Sequence, residues 1–130
     1  MAIFYKLIKK RSIVDKIVRF YATAVYGKTY NMSQLAKELA AKSTTASEGD
    51  TFSVLIGLRD LIKEHLERSE RVHIEGIGTF EVVISSEGTE NEEDFHPSMI
   101  KSAKASYRPD AEMKGFTNGL KKTKYVSKIK

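Results

Sequence analysis

The sequence contains no cysteine and no tryptophan, and it has only two prolines in 130 residues. The absence of cysteine excludes disulfide bonds, thiolate zinc sites and a cysteine nucleophile. No stretch approaches the roughly 18 apolar residues of a membrane-spanning helix. Basic residues interrupt the N-terminal segment MAIFYKLIKKRSIVDK, so it does not resemble the apolar core of a signal peptide. We therefore expect a soluble, cytoplasmic protein.

The sequence also has few signals of enzymatic chemistry. Its three histidines are scattered, and no HExxH or paired-histidine spacing occurs. Gly76 and Gly78 lack the third glycine and the following helix of a dinucleotide loop. The acidic run around Glu92 lacks the spacing of a calcium loop. We predict no catalytic residue, no metal site, no cofactor and no small-molecule substrate.

Charge is unevenly distributed along the chain, although the net charge is only +5. The segment 1–31 carries +6 and the segment 101–130 carries +7, whereas the segment 81–100 carries −6. Clustered Lys and Arg indicate a polyanionic partner, most often nucleic acid. The alternative is that lysine-rich ends merely keep the protein soluble.

Helical spacing predicts two helices joined by a polar turn. Asn31 to Gln34 has the pattern of a helix start, and this helix should end near Lys42. Thr45 and Glu48 form a second capping-box pattern, which predicts Thr45 as the cap of a longer helix that ends before Ser69. Its apolar stripe comprises Phe52, Leu55, Leu58 (or Ile56), Ile62 and Leu66.

Strand spacing follows the helices. Apolar residues alternate from Val72 to Ile84, and Gly76 and Gly78 mark a bend in this run. The run from Ser98 to Arg108 alternates again, so the two runs predict a long hairpin with the acidic segment at its tip and Pro97 on the return strand. A short helix from Ala111 to Leu120 should follow.

The first 31 residues allow two interpretations. IFYKLIKK alternates like a strand, whereas SIVDKIVRFYATAV fits either a helix or a loop followed by a strand. We favour the strand for Phe20–Val25, because β-branched and aromatic residues dominate it.

Three stretches together resemble the HU/IHF family of bacterial histone-like DNA-binding proteins. They are RVHIEGIGTFEV (71–82), YRPDAEMK (107–114) and the helical part from residue 32. Residues 1–31 look like the extra N-terminal segment of an HU-related subgroup. The resemblance implies an α+β, IHF-like fold with a helical hairpin, a three-stranded antiparallel sheet, an extended β-arm (81–106) and a short C-terminal helix. The corresponding domains are an extension (1–31), an HU-like domain (32–120) and a basic tail (121–130).

The resemblance also implies partners and site residues. Members of this family form intertwined dimers, and their arms enter the minor groove of duplex DNA, where a proline near each tip kinks the duplex. We therefore expect a homodimer that binds duplex DNA in the nucleoid with little sequence specificity. Gly76 and Gly78 form the arm turn, and the predicted dimer core comprises Phe52, Leu55, Leu58, Ile62 and Phe80, although an ordinary intrachain core is the alternative.

The acidic tip departs from the family pattern. Relatives carry basic residues and a proline wedge there, whereas this chain has Glu90 to Asp94, which phosphates repel. We assign no intercalating residue and expect weaker bending. DNA contacts should fall to basic residues at the arm base and flanks: Lys101, Lys104, Arg108, Lys114, Lys121, Lys122, Lys9, Lys10 and Arg11. The alternative function is a dimeric interaction module whose acidic arm binds a protein partner or regulates access to DNA.

Overall fold

A computed structural model describes residues 3–42, 45–122 and 126–128, with side chains described up to residue 121. The chain divides into two units. We call residues 1–31 with 114–130 the terminal unit, and residues 32–113 the central unit. The described elements are three α-helices and six strands. The predicted α+β class is therefore confirmed.

The terminal unit contains a three-stranded sheet in the order β2-β1-β6. Strands β1 (Ile3–Arg11) and β2 (Val18–Val25) form an antiparallel hairpin, and β6 (Val126–Lys128) pairs with β1 in parallel. The strand predicted at Phe20–Val25 is confirmed, and the helical alternative is wrong. The strand β6 was not predicted from the sequence.

Asp15 organises the turn between β1 and β2. Its carboxylate accepts hydrogen bonds from the Ile17 amide at 3.0 Å and from Arg19 at 2.7 Å. The Arg19 guanidinium is the main reason that the pKa of the Asp15 carboxyl lies below its ordinary value. Lys16 adopts a left-handed conformation with φ of 57°. These local contacts fix the register of the hairpin.

The central unit begins with two helices, α1 (Met32–Lys42) and α2 (Glu48–Glu67). Both helices and their ends were predicted, but Thr45 is not the cap of α2. Ser47 caps it instead, because its hydroxyl accepts a hydrogen bond from the Asp50 amide at 3.1 Å. Ser47 to Asp50 repeats the same polar spacing two residues later and places two acids in the first turn, where the helix dipole favours them.

The central unit continues with an antiparallel sheet in the order β3-β4-β5. Its strands are β3 (Val72–Ile74), β4 (Gly78–Ser86) and β5 (Ile100–Pro109), and helix α3 (Ala111–Lys122) follows. The prediction that Pro97 lies on the return strand is wrong. It begins a one-turn 3-10 helix, Pro97–Met99, because a proline has no amide hydrogen to give to a strand ladder.

Gly76 and Gly78 form the turn at the base of this sheet. Gly76 has a φ of 80°, which favours glycine. A Cβ atom on Gly78 would lie 2.3 Å from the carbonyl oxygen of Arg108, so only glycine fits this close approach. The Asp110 carboxylate accepts hydrogen bonds from the Gly76 amide at 3.1 Å and from the His73 ring at 2.9 Å. These hydrogen bonds connect the turn to the residue that follows β5.

Candidate nucleic-acid interface

The β4–β5 ladder separates apolar from polar side chains. Cross-strand partners share a face in an antiparallel pair. The pairs Phe80–Tyr107, Val82–Ala105 and Ile84–Ala103 define the apolar face, on which the Phe80 and Tyr107 rings lie 5.4 Å apart. We call the opposite side the polar face; it comprises Thr79, Glu81, Val83, Ser85, Ser102, Lys104, Ser106 and Arg108.

Two of the predicted DNA contacts, Lys104 and Arg108, lie together on the polar face. Lys104 pairs with Val83, and Arg108 pairs with Thr79. Lys101 differs from both. The register moves from Ser85–Ser102 to Ser86–Ile100, so Lys101 is the extra residue of a bulge and has no partner in the ladder. A bulge changes the direction of the side chain at the extra residue. Lys101 therefore does not extend the line of basic side chains that Lys104 and Arg108 form on the polar face.

Glu81 forms the centre of an arginine cluster on the polar face. The Arg108 Nε atom lies 2.8 Å from one carboxylate oxygen of Glu81, and the Arg71 Nε atom lies 3.2 Å from the other. The Glu81 side chain is only 15% exposed, whereas those of Arg108 and Arg71 are 58% and 69% exposed. The carboxylate thus orients two guanidiniums whose side chains remain more than half exposed.

Arg71 is not among the residues predicted to contact DNA. The register of the β3–β4 hairpin contains the signal, because Val72 pairs with Phe80. The next position outward places Arg71 opposite Glu81. A single arginine at the end of a strand does not stand out as a basic cluster. A turn of three residues at 75–77 fixes the pairing of β3 with β4, and this pairing places Arg71 beside Glu81.

The remaining predicted contacts lie in the terminal unit. Lys114 and Lys121 are exposed on α3, two turns apart and thus on one side of the helix, and the side chain of Lys122 lies outside the described residues. Lys9, Lys10 and Arg11 are consecutive on β1, so they alternate between faces. Lys9 and Arg11 share one face, and Lys10 lies on the other beside Arg19.

The arm tip is acidic and exposed. Glu92–Asp94 form one turn of 3-10 helix, in which the Asn91 side chain donates a 3.4 Å hydrogen bond to Asp94. His96 forms a 2.9 Å hydrogen bond with the Ser98 hydroxyl. In the part of the chain that the structure describes, no Lys or Arg forms an ion pair with an acid of the tip, and no group of three His, Asp or Glu is arranged to hold a metal ion. The tip therefore presents uncompensated negative charge.

The helices of the central unit leave much apolar surface exposed. Ala36 is the single fully buried hydrophobic residue within the described ranges. On α2, Leu55, Ile62 and Leu66 are half-buried, whereas Val54 and Leu61 are 70% and 52% exposed. The predicted dimer-core residues therefore divide: Leu55, Ile62 and Phe80 are half-buried in one chain, and Phe52 and Leu58 are 37% and 41% exposed.

Among the helices at residues 32–42, 48–67 and 111–122, none is both long and apolar enough to cross a membrane.

At the end of α2, Glu70 accepts a 3.0 Å hydrogen bond from the His65 ring and lies 3.1 Å from Arg68. The contact with His65, followed by the charge of Arg68, lowers the pKa of the Glu70 carboxyl below its ordinary value.

Comparisons with known proteins agree with this architecture. A bacterial protein from Bacteroides vulgatus, described as a proposed DNA-binding protein, superposes with a TM-score of 0.63 at 13% identity; the match covers 98% of this chain but only 48% of that protein. HU from Anabaena, solved in complex with DNA, superposes with a TM-score of 0.53 at 14% identity over 68% of this chain and 97% of that one. This chain thus spans about half the length of the Bacteroides protein.

No curated protein matches the sequence. A family model does: that of HU-HIG, described as an HU domain fused to wHTH, Ig or glycine-rich motifs, matches residues 1–124. The match includes residues 1–31. The resemblance to HU that the sequence motifs indicate is confirmed, and the chain belongs to the HU-HIG family.

Proposed function

We propose that this protein binds duplex DNA as a sequence-tolerant architectural protein of the nucleoid. The observation that carries this proposal is the polar face of the β4–β5 arm base. There, Lys104, Arg108 and Arg71 present three positive charges around one shielded carboxylate. On an HU-like frame this face is a row of phosphate ligands. A guanidinium binds phosphate through two parallel N–H···O hydrogen bonds, and a row of cations spaced along a strand follows a DNA backbone rather than a base sequence.

The acidic tip argues for binding at the arm base without insertion at the arm end. The minor groove has a negative potential, and the tip adds uncompensated carboxylates from Glu87 to Asp94. Pro97, three residues beyond Asp94, is the first residue of a 3-10 helix and is not at the apex of a basic loop. DNA bound in this way is bent less than by a wedge that unstacks base pairs.

A homodimer supports this function and follows from the exposed apolar surface. Val54, Leu58 and Leu61 lie at i, i+4 and i+7 on α2 and are 70%, 41% and 52% exposed. This spacing places them on one face of the helix, and an exposed apolar face of this kind marks an interface. A second copy that covers it completes a core that one chain lacks, and it also brings a second basic row to the same duplex. Of the predicted dimer-core residues, Leu58 belongs to this face, whereas Phe52 lies on the opposite side of α2.

The decisive experiment is a titration of linear and pre-bent duplex DNA at several salt concentrations. We expect log K to fall with log salt by about 0.9 for each phosphate contacted. In the variant Lys101→Ala/Lys104→Ala/Arg108→Ala the slope should flatten by about two to three units. A matched control is Lys37→Ala/Lys42→Ala/Lys63→Ala, which removes three charges from the helices. Absence of duplex binding at low salt, or equal slopes in both variants, contradicts the proposal.

The acidic tip supports a second candidate function. In this alternative the dimer is an interaction module, and the segment from Glu87 to Asp94 binds a basic protein partner or competes with DNA for basic residues. Such a protein binds a polylysine peptide through the tip and shows no salt-dependent binding of duplex DNA. The same titration, repeated with the peptide, separates the two functions.

A further inference from the structure

One face of the β1–β2 hairpin combines exposed aromatic and basic side chains. Cross-strand pairs place Lys9 with Phe20, Arg11 with Val18, and Leu7 with Ala22 on this face. Phe20 is 61% exposed, and the Lys9 ammonium lies 5.6 Å from the centroid of its ring. We call this surface the aromatic face; it comprises Tyr5, Leu7, Lys9, Arg11, Val18, Phe20, Ala22 and Ala24.

We propose that the aromatic face binds single-stranded nucleic acid. An unpaired base stacks on the Phe20 ring, and Lys9 and Arg11 contact the adjoining phosphates. This combination of an exposed ring with neighbouring cations is how proteins bind single strands without sequence preference, since every base has a flat π surface. The site is separate from the polar face proposed for duplex DNA, and neither site requires the other.

The charge of the hairpin determines which partner fits. Residues 3–31 contain seven basic residues and one acid, Asp15. That acid is bound to Arg19, which points to the opposite face of the sheet, at 2.7 Å. The aromatic face therefore carries positive charge and no acid. A second copy of the same face would repel it, whereas a polyanion with flat apolar surfaces satisfies both its charge and its exposed ring.

The neighbours of Phe20 leave its ring accessible. On its own strand the next residue of this face is Ala22, whose small side chain does not rise beside the ring. Strand β2 is at the edge of the described sheet, so no further strand covers that side of the ring. Tyr5 lies four residues from Lys9 along β1, about 13 Å away, and provides a second ring on the same face.

The test uses fluorescence anisotropy with labelled oligothymidine of about 15 nucleotides and with an abasic strand of equal length and charge. We expect the full chain to bind oligothymidine more tightly than the abasic strand. The variant Phe20→Leu keeps an apolar side chain but loses stacking, so its affinity should fall about tenfold. The control Tyr21→Leu removes a ring from the opposite face, beside Lys10, and should leave the affinity unchanged.

Duplex binding and thermal unfolding of Phe20→Leu, which should both match the unsubstituted chain, separate a lost site from a lost fold. Equal binding of the abasic strand overturns the proposal, as does an unchanged affinity in Phe20→Leu. A synthetic peptide of the acidic segment SSEGTENEEDFHP tests the other class of partner. If that peptide binds through Phe20 and oligothymidine does not, the face is a protein-docking surface and the proposal is wrong.

Discussion

Glu81 illustrates how one residue can set the strength of a whole interface. Its carboxylate holds Arg108 and Arg71 in place, yet it also neutralises part of the charge that a phosphate would meet. An exposed ion pair contributes little to stability, and both guanidiniums are more than half exposed. The main effect of Glu81 is therefore on binding rather than on folding.

We predict that Glu81→Gln strengthens duplex binding about fivefold, equivalent to about 1 kcal/mol. The substitution releases two arginines for phosphate contacts and should steepen the salt dependence by about one unit. Anisotropy titrations at several salt concentrations measure both quantities. Glu75→Gln, in the adjoining turn, makes the same change in net charge away from the cluster. Equal gains in both variants would show a general charge effect instead.

Glu70 makes the stability of the fold depend on pH. Its pKa is lowered in the folded chain by His65 and then by Arg68, so its interactions stabilise the fold above the ordinary carboxyl pKa. This contribution is lost as pH falls through the lowered folded pKa. We predict that Glu70→Gln reduces stability at pH 6 and that this loss becomes smaller as the pH falls below the ordinary carboxyl pKa. Urea unfolding at several pH values tests this, and Glu64→Gln, six residues earlier at an exposed position of α2, is the control.

At the scale of elements, α2 has apolar side chains that a single chain leaves exposed to solvent. Val54 is 70% exposed, so Val54→Glu has little effect on a single chain but buries a charge in a dimer. We predict that this variant shifts the molecular mass measured by light scattering from dimer to monomer. Ile13→Glu, at a position 93% exposed in the β1–β2 turn, should not change the mass. A dimer that persists in Val54→Glu contradicts the proposed interface.

The elements also show what the sequence can predict. Spacing alone identifies α1, α2, the arm strands and β2, because periodicity and caps are local properties. It misplaces the cap of α2, since Thr45 and Ser47 offer the same chemistry two residues apart and only the path of the chain decides between them. It misses β6 and the pairing of Arg71 with Glu81, because these depend on which strands are neighbours. It identifies the apolar stripe of α2 but not which of its residues are half-buried and which are exposed in one chain.

At the scale of the whole molecule, opposite charges occupy separate regions. The tip of the arm is acidic, whereas its base and the terminal unit are basic. If the tip repels DNA, then Glu90→Gln/Glu92→Gln/Glu93→Gln should strengthen duplex binding and increase bending. Fluorescence energy transfer between the two ends of a short labelled duplex measures the bend. A control set on the helices, Glu38→Gln/Glu64→Gln/Glu67→Gln, should leave the bend angle unchanged, and an unaltered bend in the tip variant would contradict the proposed repulsion.

The parallel pairing of β6 with β1 has a consequence for the order of folding. Ile3 pairs with Val126, so the two strands meet only after more than a hundred intervening residues have been synthesised. Closing so long a loop costs entropy and slows the formation of the contact. The central unit, in contrast, is formed from neighbouring elements of one continuous segment. During translation the helices and the arm can therefore fold first, and the terminal sheet is completed last.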